Sequence, residues 1–492
     1  MSFISLEFLL IFLPLSLCFF SLAVRVGVDW MPSVAIVCIS LGFYSGFGVI
    51  PVSVLIFSVV ANYAASQIIS RYLKSKWPIG VALIGNLSLL FCFKYISAFD
   101  LSESFRFMAL ISLVGISYFT FQQIAYLLQL RAGQVPLLAA HDYAQFVLFF
   151  PILTSGPIIR ASDFQKALSR PRKISIVNLQ VGLVLICIGI FKKTMIAEPL
   201  SPVIDHVFSA DSVGLSTLEA WIGALAFTFQ IYFDFSGYSD IAIGCARLFG
   251  IIIPINFLSP LRSANIQDFW RRWHMSMTKF FADFVYTPMA VAFTRLSVKN
   301  SLPKQSVFIL TVALPTTVTF ILVGLWHDAG INFALFGLLH GLALSCYHWW
   351  LGLKLKSLHY YPAWSATFIF LVFTLVLFRA PEFSTTVQIW KAMSGIEAGA
   401  QVRLDHTIFD LWFFSVLLVS AVIVFFCPSS HEFLEKYEPG ISFDVPVLPS
   451  VLVSKLIWKP STNWALFLGI LAGTSFIFSL WTGISTFVYV RF

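Results

Sequence analysis

The chain consists largely of long, continuous apolar runs that are separated by short polar gaps. A run of about 20 apolar residues predicts a membrane-spanning helix, because a helix of that length crosses the hydrocarbon core of a bilayer. The runs are continuous rather than alternating, which argues against a membrane β-barrel. The pattern predicts an all-α, polytopic membrane protein with roughly 10–12 transmembrane or re-entrant helices. They are drawn from the apolar segments 5–24, 33–45, 48–70, 79–98, 107–130, 143–159, 176–197, 217–235, 306–326, 331–350, 364–380, 408–427 and 463–482.

One region differs from the lipid-facing pattern. Residues 232–305 mix aromatic residues, glycine, proline and charges. Irregular backbone at membrane depth is tolerated where protein or a water-filled cavity surrounds it, so we expect the functional site in a signature region of about 232–350. No internal repeat is visible, and the polar insert 428–460 is interpreted as a loop. We therefore predict a single integral-membrane domain over residues 1–492.

The composition agrees with a membrane protein. Of the 492 residues, 59% are hydrophobic and 11% are charged, whereas a soluble domain carries about 25% charged residues. The net charge of +8 would suggest nucleic-acid binding in a soluble protein. Here the basic residues cluster in gaps between spans, which predicts cytoplasmic loops and no nucleic-acid partner. These residues are Arg71, Lys74 and Lys76, followed by Arg160, Lys166, Arg170, Arg172 and Lys173.

His274 closes the segment Asp268-Phe-Trp-Arg-Arg-Trp-His274 within apolar sequence. A titratable imidazole at bilayer depth is costly and indicates a function. Asn265 is predicted to be the N-cap of the helix that contains the segment. On that helix, Trp270 and Trp273 begin an aromatic packing stripe that continues to residue 281, because side chains three or four positions apart share a face.

The same segment carries two fixed positive charges, Arg271 and Arg272. Guanidinium groups bind phosphates and carboxylates well, so these residues are candidates to hold the phosphates of a coenzyme A or phosphopantetheine donor. Interfacial snorkelling with pairing to Asp268 or Asp283 explains the arginines equally well.

His327 ends a second apolar run and directly follows Trp326. A neutral imidazole at this depth can take a proton from a hydroxyl as the hydroxyl attacks a carbonyl carbon. Asp328 follows, but adjacent helical residues point about 100° apart, so we do not expect a direct bond between them. His340 would lie on a different face of a continuous helix and is interpreted as structural.

Asp234 and Asp240 lie beside an apolar span, where a carboxylate is costly unless it is paired. Arg247 or Arg271 are possible partners. A structural ion pair and a role in the substrate path are equally compatible with the sequence. No zinc-type spacing, P-loop, dinucleotide fingerprint or nucleophile elbow is present, so we predict no bound metal and no tightly bound cofactor.

Taken in order, several sequence blocks resemble the membrane-bound O-acyltransferase (MBOAT) family. The likeness is closer to its bacterial branch, typified by the alginate O-acetylation protein AlgI and the D-alanyl transfer protein DltB, and it covers nearly the whole chain. The blocks are Gly115–Gln122, Phe149–Arg160, Tyr232–Gly244, Phe269–His274 running to Pro288, Gly324–His327, Gly337–Gly341 and the ending Phe487–Phe492.

This resemblance implies a ring of helices around a central tunnel, with His327 as the catalytic histidine and His274 as the second signature residue. Asp328 stands where the family usually has glycine, and Ile331 stands where the branch usually has tryptophan. A carboxylate beside the base could alter its pKa or narrow the tunnel. The two substitutions therefore leave the choice of acyl group open.

The sequence and the resemblance together predict an O-acyltransferase of the bacterial inner membrane. It would pass acetyl from a cytoplasmic thioester donor, acetyl-CoA or an acyl carrier, to hydroxyls of an exported polysaccharide such as alginate, cellulose or peptidoglycan. A periplasmic acetyltransferase partner and a polysaccharide synthase complex are expected from the resemblance. The alternatives are D-alanyl transfer from a carrier protein to teichoic acid, a proton-coupled transporter component, and a scaffold without chemistry.

Overall fold

The computed structural model describes residues 2–95, 113–168, 175–209, 214–356, 358–396, 409–443, 445, 456–482 and 487. These residues form helices and connecting loops, with an isolated parallel bridge between Pro254 and Ile441. Helices satisfy their backbone hydrogen bonds internally, which is what a bilayer demands of an apolar run. The all-α prediction is confirmed for this part of the chain. Of the predicted features, Arg170, Arg172, Lys173, residues 107–112 and residues 488–492 lie outside the described ranges.

Eight helices of the described ranges are long and apolar enough to cross a membrane, so the protein is a multi-pass membrane protein. Two shorter apolar helices, Met31–Ser45 and Leu411–Phe426, accompany them. The eight are Glu7–Arg25, Val49–Arg71, Trp77–Tyr95, Ile176–Val207, Lys304–His327, Ile331–Gly352, Tyr360–Arg379 and Thr462–Trp481.

The other α-helices are shorter or more polar. They are Ile116–Arg131, Ala140–Leu148, Phe150–Leu153, Ala161–Leu168, Thr217–Leu248, Ile266–Arg272, Met275–Phe281, Thr287–Lys299, Phe383–Met393 and Ser430–Phe433. Wider π-helical turns interrupt or extend several helices at Glu7–Phe12, Phe91–Tyr95, Lys192–Ala197, Ala282–Tyr286 and Ile309–Ala313. Single 3₁₀ turns occur at Glu198–Leu200, Pro260–Arg262 and Glu435–Tyr437.

Three predicted segments differ from the structure. The helix predicted over the apolar segment 143–159 is interrupted at Phe149. The backbone of Phe149 is not helical, and Pro151 follows in the first turn of the next helix. The segment 217–235 continues as a helix to Leu248, although it carries buried polar residues. The insert 428–460, interpreted as a loop, contains the helix Ser430–Phe433, which starts with a capping box between Ser429 and Glu432.

The chain divides into two compact units, and each draws on segments far apart in the sequence. The first unit comprises Met1–Ile188, Tyr238–Ile255 and Lys436–Ser442, and the second comprises Gly189–Gly237, Asn256–Glu435 and Phe443–Phe492. The single domain over residues 1–492 stays a prediction, as does the ring around a tunnel.

The first unit is held together by aromatic packing and by polar side chains between helices. The rings of Phe3, Phe8, Phe43 and Phe150 lie with their centroids 5.0–6.2 Å apart. The amides of Asn62 and Asn86 exchange hydrogen bonds of 3.2 and 2.6 Å. Since lipid is as apolar as leucine, such interhelical hydrogen bonds and close packing stabilise membrane helices against each other.

The second unit contains the predicted site. We number the six helices that carry or surround it in chain order: α1 (Thr217–Leu248, of which residues 217–237 belong to this unit), α2 (Ile266–Arg272), α3 (Met275–Phe281), α4 (Leu314–His327), α5 (Ile331–Gly352) and α6 (Tyr360–Arg379). α4 and α5 form a tightly packed hairpin. A Cβ on Gly324 would overlap the carbonyl of Phe333, and one on Gly337 would overlap the carbonyl of Phe320. Glycine therefore permits the close approach of the two backbones.

Candidate active site

Helix α2 begins at the predicted position. The Asn265 side chain accepts a hydrogen bond of 2.8 Å from the backbone N–H of Asp268. The carboxylate of Asp268 in the first turn also favours the helix start, because it faces the positive end of the helix dipole. The predicted N-cap is confirmed.

The backbone breaks between α2 and α3, at Trp273 and His274. Trp273 is extended, and His274 adopts the left-handed region with φ 43° and ψ 51°. The predicted stripe along one helix to residue 281 is therefore wrong. The break is stabilised from outside the helix, because the Arg272 carbonyl accepts a hydrogen bond of 3.1 Å from the backbone N–H of Leu258.

Asn256 fixes the imidazole of His274. The Asn256 Oδ1 atom accepts from the Ser276 backbone N–H at 3.2 Å and from the Ser276 hydroxyl at 2.9 Å, and it lies 3.1 Å from His274 Nδ1. A backbone N–H can only donate, so this atom is the amide oxygen and His274 Nδ1 carries the hydrogen. The lone pair of the neutral ring is then on Nε2.

His274 is fully buried and lies outside the eight candidate spans. The Phe235 ring meets the imidazole edge-on, with centroids 4.8 Å apart. Burial lowers the pKa of His274 to about 3, because these surroundings penalise the charged imidazolium. His274 is therefore a neutral base or hydrogen-bond acceptor at physiological pH.

His327 is the last residue of α4 and is 6% exposed. Aromatic rings from two neighbouring helices surround it. The centroid of Phe378, on α6, lies 4.8 Å from that of the imidazole, and Phe333, on α5, stacks at 6.4 Å. The catalytic histidine of the prediction thus lies at a helix end, inside an aromatic enclosure formed by α4, α5 and α6.

Trp326 brings the two histidines into one site. Its indole centroid lies 5.9 Å from the His274 imidazole and 4.6 Å from the His327 imidazole. Trp326 itself is 5% exposed. Two imidazoles that are 53 residues apart in the sequence therefore contact the same buried indole, and this contact defines the candidate active site.

The two arginines of α2 occupy different environments. Arg272 is 1% exposed as a side chain and its Nε donates to Asp268 Oδ1 at 2.9 Å. Its Nη1 also donates to the Leu258 carbonyl at 3.4 Å. Arg271 is exposed. The structure therefore favours an ion-pairing role for Arg272, one turn from its partner, and leaves Arg271 as the candidate for binding a donor phosphate.

The tryptophans of the segment are packing residues with buried rings. Trp273 lies within 5.0 Å of Phe257 and 5.5 Å of Phe269, measured between ring centroids. Trp270 meets Phe320 of α4 at 4.8 Å. These distances show packing contacts for both indoles, and a role of Trp270 and Trp273 in binding the donor or substrate stays a prediction.

Asp234 on α1 forms a buried ion pair with Lys193. The Lys193 Nζ donates to Asp234 Oδ1 at 2.8 Å, and Glu198 Oε1 lies 3.6 Å from the same ammonium. Arg247 and Arg271, the partners considered from the sequence, are not its partner in this bond; Arg247 donates to the Tyr437 carbonyl at 2.8 Å. The structure favours the structural ion pair among the two interpretations of Asp234.

A sequence model described as "MBOAT, membrane-bound O-acyltransferase family" matches residues 73–386, which is more than half of the chain. The chain belongs to the MBOAT family. It is therefore a membrane O-acyltransferase, and the resemblance inferred from the sequence blocks is confirmed.

Similar curated proteins fall in the same branch. The chain is 34% identical over 440 residues to a peptidoglycan O-acetyltransferase of Helicobacter pylori, covering 81% of this chain and 80% of that protein. It is 34% identical over 282 residues to a probable alginate O-acetylase, AlgI, of Pseudomonas putida, covering 57% and 55%. It is 32% identical over 254 residues to a teichoic acid D-alanyltransferase of Bacillus subtilis, covering 49% and 60%. The matched segment thus spans a little over half the length of the last two relatives.

The resemblance contrasts Asp328 with the glycine expected at this position of the family, and the structure shows the position of its carboxylate. Its backbone is extended, with φ −160° and ψ 162°, so it ends α4. The side chain is exposed and accepts a hydrogen bond of 2.7 Å from the Ala329 backbone N–H. The carboxylate is thus engaged by the backbone of the next residue, and the expectation that it does not bond His327 agrees with this geometry.

Two residues that bind predicted site residues, Lys193 at Asp234 and Asn256 at His274, were not found from the sequence. Lys193 had a signal, since Lys192 and Lys193 interrupt the apolar run 176–197 and a buried cation needs a carboxylate. Asn256 had none, because a single asparagine in a loop does not reveal which side chain it holds. Among the described residues, no group of three or more His, Cys, Asp or Glu side chains is placed to hold a metal ion.

Proposed function

We propose that the protein transfers acetyl from cytoplasmic acetyl-CoA to hydroxyl groups of an exported cell-surface polysaccharide. The observation that carries this proposal is the contact of His274 and His327 with the same buried Trp326 indole. Two imidazoles against one buried indole suit an acyl transfer, in which a base must take the proton of the attacking hydroxyl.

The comparisons support acetyl as the acyl group. The peptidoglycan O-acetyltransferase relative aligns with about four-fifths of both chains, whereas the D-alanyltransferase relative covers 49% of this chain. The alginate O-acetylases act in acetylation as well, by their names. Peptidoglycan or another exported glycan is accordingly the proposed acceptor, and the bacterial inner membrane is the proposed location.

His327 acts as the general base. Its imidazole takes the proton of the acceptor hydroxyl as the hydroxyl oxygen attacks the thioester carbonyl carbon. A C–O bond forms, and the C–S bond breaks when the tetrahedral intermediate collapses. The CoA thiolate leaves and receives the proton from the imidazolium, which restores neutral His327. The products are an acetyl ester and free CoA.

His274 and Arg271 orient the donor. With the hydrogen on Nδ1, the neutral His274 ring offers an acceptor at Nε2, so it suits an N–H or O–H group of a substrate rather than the carbonyl oxygen. Arg271, which is exposed and lies three positions before His274, suits a phosphate of CoA. The proposal includes a periplasmic acetyltransferase partner that assists the acetylation of the polymer and a synthase complex that supplies the polymer.

The test uses purified protein in detergent and CoA that carries a labelled acetyl group. Wild type is compared with His327→Ala and with His206→Ala, a control that removes a histidine outside the site. Acceptors are peptidoglycan fragments, alginate oligomers and lipoteichoic acid, each with and without a periplasmic extract. A parallel reaction offers labelled D-alanine on its carrier protein.

Transfer of label to a glycan by wild type and His206→Ala, but not by a folded His327→Ala protein, is the expected result. The glycan that takes up the label identifies the acceptor. Transfer of alanine without transfer of acetyl would show that the donor is the D-alanyl carrier protein and not acetyl-CoA. Full acetyl transfer by His327→Ala would refute the role of His327.

A further inference from the structure

His340, on α5, lies in the middle of a continuous chain of hydrogen bonds that runs from Trp270 to the Phe370 carbonyl. Trp270 Nε1 of α2 donates to His340 Nδ1 at 3.2 Å, and His340 Nε2 lies 3.0 Å from Thr374 Oγ1 of α6. The Thr374 hydroxyl lies 2.9 Å from the Phe370 carbonyl. His340 and Thr374 are fully buried, and Trp270 is 4% exposed.

The proton positions in this chain follow from its ends. An indole N–H can only donate, so His340 Nδ1 must accept and carries no hydrogen. The hydrogen of the neutral ring is therefore on Nε2, which donates to Thr374 Oγ1. Thr374 in turn donates its own hydrogen to the Phe370 carbonyl. Both nitrogens of His340 are thus engaged, and neither is available to move a proton in the reaction.

The chain fixes α2 against two other helices. α2 has seven residues, and an isolated helix of that length is not stable in itself. The hydrogen bond from Trp270, the fifth residue of α2, connects this helix to His340 of α5, and the contact of His340 with Thr374 connects it further to α6. Trp270 directly precedes Arg271, and α2 leads into the backbone break at His274. The Trp270 indole therefore helps to set the position of both residues relative to α4, together with the bonds that Asn256 and Leu258 make at the break.

We infer that His340 is a positioning residue for acyl transfer: held as the Nε2–H tautomer, it anchors Trp270 and so places Arg271 and His274 for the donor. It is not a second base. The geometry distinguishes two substitutions at this position. In His340→Asn, the amide oxygen is as many bonds from Cβ as Nδ1 is, so it accepts from Trp270. In His340→Gln, the amide nitrogen reaches Thr374 instead, and the Trp270 N–H loses its acceptor.

The kinetic arm rests on the proposed acetyl transfer and measures KM for acetyl-CoA and kcat separately. We expect His340→Gln and Trp270→Phe to raise KM about five- to tenfold, the effect of one buried hydrogen bond, with kcat within about threefold of wild type. His340→Asn should keep KM within about threefold. The matched control is Trp390→Phe, which removes an indole bond of 3.0 Å to the Phe373 carbonyl and should leave KM unchanged.

The spectroscopic arm does not depend on turnover. Protein labelled with ¹⁵N-histidine gives one set of ring signals that is missing from His340→Asn, and these belong to His340. The expected tautomer is Nε2–H, and Trp270→Phe should shift the Nδ1 signal. An Nδ1–H or doubly protonated ring would overturn the inference. The inference would also be overturned if the Asn and Gln variants had equal KM values for acetyl-CoA and if KM changed only in step with thermal stability. Absence of acetyl transfer in wild type would reject the proposed function and leave the tautomer as the deciding result.

Discussion

The buried ion pair between Lys193 and Asp234 allows a quantitative prediction, because the second unit also contains an exposed pair of similar geometry. Both side chains of the buried pair are 1% exposed, and their atoms lie 2.8 Å apart. In the exposed pair, Arg379 and Asp205 lie 2.6 Å apart, with side chains 28% and 66% exposed. The two pairs differ in solvent contact and hardly in distance.

The expected cost of removing one partner therefore differs strongly. At 2.8 Å and an effective dielectric constant of about 20, the buried charges attract each other by about 6 kcal/mol before desolvation. Lys193→Met leaves the Asp234 carboxylate buried without this ammonium, which costs about 3–5 kcal/mol. Arg379→Met should cost about 0–1 kcal/mol, since water screens the pair.

Thermal unfolding in detergent measures the difference. A chain of this length has an unfolding entropy of roughly 1 kcal/mol/K, so Lys193→Met should lower Tm by about 3–5 °C and Arg379→Met by about 1 °C or less. The double variant Lys193→Met/Asp234→Asn should regain part of the loss, because no buried charge is left at Asp234, whereas Glu198 still lacks the ammonium that lies 3.6 Å from its Oε1. Equal effects of the two single variants, or a double variant less stable than Lys193→Met, would refute the reasoning.

Three further predictions follow from the site. Arg272→Ala should lower Tm by about 2 °C, since it leaves Asp268 without its ion-pair partner, whereas Arg271→Ala should raise KM for acetyl-CoA at unchanged Tm; the reverse pattern would exchange their roles. Asp328→Gly should change kcat less than threefold, because its carboxylate bonds a backbone N–H, and a tenfold change would show that it acts on His327. Gly324→Ala should destabilise by about 1–3 kcal/mol through overlap with the Phe333 carbonyl, measured by thermal unfolding beside Gly352→Ala, whose Cβ meets open space.

The sequence predicted the features that depend on composition and on local chemistry. The apolar runs predict the long helices because span length and backbone satisfaction are properties of the segment itself. Asn265 was found as an N-cap because its partner, Asp268, is three residues away. The prominence of His274 and His327 was visible because an imidazole in apolar sequence is unusual whatever its neighbours are.

The features that were missed depend on residues far apart in the chain. The break at His274 depends on a loop residue, Asn256, that lies 18 positions earlier. The partner of Asp234 lies 41 positions earlier, at Lys193. His340 was interpreted as structural from helical spacing, but its bond to Trp270 spans 70 residues. Periodicity carries no information about such contacts, because they are set by which helices pack together.

The left-handed backbone at His274 places two independent demands on one position. The conformation favours glycine, asparagine or aspartate among the other residues. The Asn256 Oδ1 atom requires a hydrogen-bond donor on the side chain, which His274 Nδ1 supplies. The proposed chemistry requires a lone pair on the same side chain, which His274 Nε2 supplies. A relative with glycine at the aligned position would keep the turn and lose the imidazole. Such a substitution would therefore mark a member of the family that retains the turn but lacks the imidazole proposed here to orient the donor.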